Sequence, residues 1–222
     1  MLTTLTIQEQ LIPLRNPVQA EKMEKYMRNH FSFLGIKTPE RRNATKQVIK
    51  TNGIPDNDNV KTLLYNLWYM DEREYQYVAL DLLDRVKELP VEYIELIEDL
   101  ITTKSWWDTV DGLAVHSAGN YFKQYPHKIE SITEQWITSS NLWLNRSALL
   151  FQLSYKTKTD FELLKWYIRH HSHSKEFFHQ KAIGWALREY SKTDPAAVQM
   201  FIDQEELAPL SKREGLKVIY KH

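Results

Sequence analysis

The sequence predicts an all-α fold built from stacked helix pairs, and three observations predict it. Apolar residues recur at three- and four-residue steps almost throughout, as one buried face of a helix requires. Prolines stand near segment starts, glycine is scarce at six residues, and no run of segments alternates in the manner of strands. Small residues recur at an almost constant interval: Ala44, Ala79, Ala114, Ala148, Ala182 and Gly215 are 35, 35, 34, 34 and 33 residues apart. A small side chain at one fixed point lets paired helices approach closely, and a period of this length suits a helix-pair solenoid.

Taken in order, the segments support roughly a dozen helices joined by short turns. Pro17 and Pro39 sit where a missing N–H does no harm, and "KTPERR" (37–42) reads as a basic helix start. "TNGIPDNDN" (51–59) is the clearest loop, and "YVALDLLDRV" (77–86) returns to helical spacing. Pro90 and Pro126 mark further starts, followed by "WLNRSALLFQL" (143–153) and "KAIGWALREY" (181–190). Pro195 and Pro209 open the last segments, the final one carrying "SKREG" (211–215). The tetratricopeptide pattern is not visible, so a HEAT-like stack with a long concave surface is expected. No Gly/Ser-rich linker divides the chain, which predicts one domain over residues 1–222.

Composition narrows the functional classes. The absence of cysteine excludes disulfides, thiolate metal sites and a cysteine nucleophile, and makes a reducing cytoplasm the natural compartment. No apolar run is long enough to span a membrane, and "MLTTLTIQEQ" lacks a basic-then-apolar leader. Lysine and arginine balance aspartate and glutamate at 29 each, yet residues 71–99 hold ten acids against three bases. The remaining chain is correspondingly basic, so a zero total is compatible with a basic face and an acidic back, or with a mixed solvated surface.

The chemistry concentrates in "KSWWDTVD" (104–111). Ser105 with Asp108 three residues on has the form of a capping box, which occupies Asp108, and Trp106 is a natural core residue. Trp107 and Asp111 remain, four residues apart and so on one helix face. An indole beside a carboxylate suits neither water nor core unless the acid is hydrogen-bonded, and a buried acid bonded to backbone is the structural alternative. Arg146 interrupts an apolar helix at nearly the repeat phase of Asp111, and Trp185 stands three residues before Arg188. A tryptophan face attracts cations and an arginine grips phosphates bidentately, although taken singly Trp185 reads first as core filling and Arg146 as an internal salt bridge. Together the four residues predict a shared cleft. "RHHSH" (169–173) lacks paired ligand spacing and reads as a solvated helix end. No P-loop, dinucleotide glycine pattern, nucleophile elbow or HExxH motif is present.

Five blocks carry a resemblance: "EKYMRNHFSFLGIKTPERR" (24–42), "TKSWWDTVD" (103–111), "NLWLNRSALLFQLSYK" (141–156), "SKEFFHQKAIGWALREY" (174–190) and "ELAPLSKREG" (206–215). Over nearly its whole length the chain resembles the AlkD-type DNA alkylation repair glycosylases, built from HEAT-like repeats around a concave DNA-binding cleft. The resemblance implies hydrolysis of the N-glycosidic bond of cationic N3- and N7-alkylated purines, such as 3-methyladenine and 7-methylguanine, in duplex DNA. It makes Asp111 the catalytic carboxylate, Trp107 and Trp185 the aromatic pair flanking the deoxyribose, and Arg146 a site-organising, DNA-backbone arginine. Tyr26, Phe177, Phe178 and Arg188 fall at positions near the DNA. The segment "DGLAVHSAG" (111–119) departs from the family pattern. The family recognises sugar and backbone with the lesion still stacked, which implies tolerance of bulky adducts. Double-stranded DNA is the expected partner, without metal, organic cofactor or membrane, and a monomer is the expected state. Some relatives bind branched or distorted DNA without cutting it, and helical solenoids also serve as protein scaffolds; these are the rival functions.

Overall fold

The structure, a computed structural model, describes residues 1–221. Among them no strand forms; a single isolated bridge joins Ser32 and Glu72. The described residues are helical as the periodicity predicts, and they group into two units, Met1–Pro90 and the residues from Val91 onward. The division falls after Pro90, in a stretch of turns without a low-complexity linker.

The first unit holds α1 (Thr4–Leu11), α2 (Pro17–Tyr26), α3 (Thr38–Asn52), α4 (Asn57–Trp68) and α5 (Arg73–Leu83). Helix α1 opens on a reciprocal cap between Thr3 and Thr6, and α2 on Asn16 with Pro17 at its first position. The loop expected at 51–59 is shorter: α3 runs through Asn52, and the Asp56 side chain already caps α4 by accepting from the Asn59 amide. Helices α4 and α5 pair, and α5 also packs on α3. Gly35 has φ +84, and a Cβ there would lie 2.1 Å from the Asn16 carbonyl oxygen, so only glycine fits. The amides of Leu34, Gly35 and Ile36 all donate to the buried Glu74 carboxylate at 2.8–3.0 Å.

Glu74 belongs to the acid-rich stretch 71–99, and it is not alone in turning inward. Asp81 accepts from Arg41 and Arg42, and Glu98 accepts from the indole of Trp136. That stretch is therefore not simply a solvated acidic back; several of its charges organise loops and helix contacts.

The second unit begins with α6 (Tyr93–Thr102). Helix α7 (Trp107–Gly112) continues without a break through a π-helical segment, Leu113–Ala118, into α8 (Gly119–Gln124). Then come α9 (Ile129–Thr138), α10 (Leu142–Leu150), α11 (Phe161–His170), α12 (Phe177–Tyr190), α13 (Pro195–Gln204) and α14 (Pro209–Gly215). Helix α9 packs on α10, and the π segment, α10, α12 and α14 pack in succession. The recurrent small residues sit where the period placed them: Ala44, Ala79, Ala114, Ala148 and Ala182 are buried, and a Cβ on Gly215 would meet Leu187 and Ile202 at about 3 Å.

A second feature recurs at about twice that interval. Gln76 on α5 donates its amide to the carbonyls of Leu67, Trp68 and Met70, the C-terminal end of α4. Asn145 on α10 donates to Trp136, Ile137 and Ser139 at the end of α9, with the same offsets of 9, 8 and 6 residues. In both, a buried amide satisfies helix-terminal carbonyls that would otherwise lose water without a partner.

Candidate functional site

The start of α7 differs from the expected cap. The Ser105 hydroxyl turns back and donates to the Ile101 carbonyl at 2.6 Å, closing α6, while Trp106 takes the N-cap position without a side-chain bond. The physical reason is that α7 starts one residue later than a Ser105 cap requires, with Trp106 at the N-cap, while the last carbonyls of α6 lie within reach of the hydroxyl. Asp108 does lie in the first turn of α7, where its charge suits the positive helix end.

One turn further on, the Asp111 carboxylate meets Arg146 from α10. Arg146 donates Nε to Oδ1 at 2.7 Å and Nη2 to Oδ2 at 2.9 Å, a bidentate pair across 35 residues of sequence. Its Nη1 donates to the backbone carbonyl of Phe178 on α12 at 2.8 Å. One guanidinium thus joins α7, α10 and α12. The internal salt bridge left open for Arg146 is real, and its partner is Asp111 itself rather than a backbone group.

Burial is uneven across the pair. The Arg146 side chain is 6% exposed, whereas Asp111 keeps 17%, so the acid is the less enclosed member of the pair. Desolvation pushes the Asp111 carboxyl above its ordinary range, opposed by the hydrogen bonds and charge of Arg146. Trp107 and Trp185 are both half-buried, the first one turn before Asp111 on α7 and the second in the middle of α12.

Behind the pair stands an aromatic wall. Trp106, Trp143 and Phe178 meet mutually, with centroids 5.7, 5.2 and 4.9 Å apart, and the Arg146 guanidinium lies 5.8 Å from the Phe178 ring. Trp143 and the Phe178 carbonyl escaped sequence reasoning. Trp143 had a usable signal, since it stands three residues before Arg146 on the same helix; a backbone carbonyl has none.

The remaining candidates are spread out. Phe178 is half-buried in that wall, whereas its neighbour Phe177 is 57% exposed at the start of α12. Tyr26 ends α2 in the first unit and is 71% exposed. Arg188 pairs with Glu214 at 3.0 Å, and Lys181 and Lys217 bind the same carboxylate, at 3.2 and 2.7 Å. Three cations on one acid leave a local positive excess between α12 and α14, and the hydrogen bond from Lys217 leads in holding Glu214 below the usual carboxylate range.

The histidines of 169–173 are not simply a solvated end. His171 is half-buried, with Nε2 on the Ile137 carbonyl at 2.9 Å and its ring against His179. Among the described residues no group of three His, Cys, Asp or Glu is arranged to hold a metal ion, and no helix is long and apolar enough to cross a membrane. The divergent segment 111–119 contains the π turn, and a Cβ on Gly119 at its end would lie 2.7 Å from the Phe151 carbonyl oxygen. Glycine there lets the end of α10 approach, and the Tyr155 hydroxyl bonds the Gly119 carbonyl at 2.6 Å.

Comparison with known proteins follows the same line. AlkD2 from Streptococcus mutans shares the fold with a TM-score of 0.62 at 19% identity, over 83% of this chain and 89% of its own. The solved structure of smu.31 from Streptococcus mutans UA159 gives 0.62 at 18% identity over 89% and 96%. No curated protein matches the chain. A solved structure described as a predicted DNA alkylation repair enzyme from Enterococcus faecalis has a TM-score of 0.87 and 36% identity, covering 94% of this chain and 98% of that one. The family model described as DNA alkylation repair enzyme matches residues 7–219, and with that span the chain belongs to the DNA alkylation repair enzyme family.

Proposed function

We propose that this protein is a monofunctional DNA glycosylase that hydrolyses the N-glycosidic bond of cationic N3- and N7-alkylated purines in duplex DNA. The observation that carries this reading is the Asp111 carboxylate, held at both oxygens by Arg146 on a side chain that is not fully buried, one helical turn from Trp107.

Alkylation at N3 or N7 leaves a positive charge on the purine, so the base departs without being protonated. The C1′–N bond breaks, its electron pair leaves with the purine, and positive charge appears on the sugar. A fixed negative group placed there lowers the barrier, and it acts more strongly where water is thin. Each oxygen of Asp111 accepts one bond from Arg146 and keeps a further lone pair. One faces the cationic sugar; another accepts a hydrogen bond from the water that attacks C1′, whose proton passes to solvent. Trp107 and Trp185 offer π faces to the same developing charge, a contact worth about 1 kcal/mol each.

The test is base release. Methylated duplex DNA incubated with the protein yields free 7-methylguanine and 3-methyladenine, while uracil-containing DNA yields no free base, since no general acid serves a neutral leaving group. Asp111→Asn lowers the single-turnover release constant by roughly a hundredfold, the loss of one positioned electrostatic group. Equal release by wild type and Asp111→Asn refutes the assignment. DNA binding with no release from wild type supports instead a non-catalytic binder of distorted duplexes.

A further inference from the structure

The amide clamp on the end of a preceding helix occurs twice, but only one copy is completed. In the first unit the Gln76 Oε1 is buried without a hydrogen-bond partner. In the second, the corresponding oxygen of Asn145 accepts from His179 Nε2 at 3.2 Å. The extra bond occurs in the copy whose next residue is Arg146.

The donors and acceptors of this chain assign themselves. Both N–H groups of Asn145 are spent on carbonyls, so its oxygen faces His179 and the imidazole carries its proton on Nε2. Nδ1 is then an acceptor, and the Ser174 hydroxyl donates to it at 2.8 Å while itself accepting from the Glu176 amide. Every polar atom along the path has a partner. The ring is buried, packed 4.2 Å from His171, and held neutral: desolvation, then the nearby His171 and Arg146, lower His179 to about 4. A charged imidazole here would repel the guanidinium that must face Asp111.

The register adds the decisive point. Asn145 bonds His179, and the next residue, Arg146, bonds the carbonyl of the preceding residue, Phe178. Two adjacent rungs therefore tie α10 to α12. The first fixes the rotation of α10 about its axis, and with it the direction in which Arg146 leaves that helix. The second fixes the guanidinium plane, which aims two N–H groups at Asp111.

We propose that His179, acting through Asn145, is a positioning residue for the Arg146–Asp111 pair: its neutral imidazole locks α10 to α12 in the register that presents the Asp111 carboxylate to the sugar. This proposal rests on the glycosylase reading for its kinetic consequence, but the geometry it asserts can be read without activity.

The experiment compares wild type, His179→Ala and His179→Gln, since the glutamine Nε2–H reproduces the donor to Asn145. On methylated duplex DNA, His179→Ala lowers the single-turnover release constant about tenfold, as expected for a misplaced catalytic group. The Kd for the same DNA stays unchanged, and His179→Gln restores most of the rate. In parallel, ¹⁵N NMR follows the Arg146 Nε–H, protected from solvent exchange in wild type and His179→Gln and unprotected in His179→Ala. The proposal is overturned if His179→Ala loses thermal stability but keeps both the release constant and the Nε–H protection. It is likewise overturned if glutamine rescues neither. Should wild type release no base at all, the glycosylase reading fails, and the exchange measurement alone decides whether His179 positions Arg146.

Discussion

Arg146 offers five N–H donors in one plane, and three of them are engaged within the protein. Truncation to alanine leaves the Asp111 carboxylate desolvated without its partner. Arg146→Ala is therefore expected to cost about 3 kcal/mol, seen as a melting temperature lower by roughly 10 °C. Arg146→Lys keeps the charge but presents a point donor that cannot span both oxygens and the Phe178 carbonyl. It is expected to recover part of the stability and little of the base-release rate, which thermal denaturation and the release assay measure side by side. The raised pKa of Asp111 gives a pH prediction with a definite sign. In the proposed mechanism the group works as a carboxylate, so protonation removes it, and release is expected to fall as the pH drops. Because burial raises its pKa, the fall is centred above the ordinary aspartate value of 3.8, as a pH–rate profile on methylated DNA will read directly.

Helices α12 and α14 owe their close approach to two glycines. A Cβ on Gly184 would lie 2.5 Å from the Glu214 Cβ and 3.1 Å from the Ser211 carbonyl oxygen, atoms near the main chain that cannot swing away. Gly184→Ala is expected to push α14 outward and destabilise the protein by about 1–3 kcal/mol, measured by denaturant unfolding. It also displaces Glu214, the acid that gathers Lys181, Arg188 and Lys217. A different element-scale feature is the π turn at Leu113–Ala118, immediately after Asp111. An extra residue per turn re-aims the helix beyond it, so the face carrying Trp107 and Asp111 and the face that α8 buries are set separately. The amphipathic pattern revealed a helix here but not its change of pitch, because one inserted residue barely alters a short hydrophobic period.

For the whole molecule, a formal charge of zero argues against long-range attraction to DNA, but affinity depends on the cations that meet phosphates. Binding to methylated duplex DNA is expected to weaken linearly in logarithmic salt concentration, with about −0.9 added to the slope per phosphate neutralised. A salt titration showing a slope near zero would exclude phosphate-directed binding. The charge map of the sequence needs revising on the same scale. Glu74, Asp81 and Glu98 are consumed by loops, arginines and an indole, so acids counted along the chain do not form one solvated face.

By itself the sequence determined the helices and their pairing period, and it marked Asp111 and Arg146 as charged groups among apolar residues. Asp111 and Arg146 stood out because helical periodicity is local and because an acid or an arginine in an apolar stripe is rare. What only the tertiary structure decided is how those groups meet. A side chain 35 residues away becomes a partner only after the helices pack, so the bidentate grip of Arg146 on Asp111 could not be read from spacing. The Phe178 carbonyl and the Asn145–His179 bond were equally invisible, since every residue has a carbonyl, and an amide next to an arginine shows its acceptor only once a neighbouring helix supplies the donor. Ser105 likewise caps α6 rather than α7, because which carbonyl lies within 3 Å is a property of the folded chain.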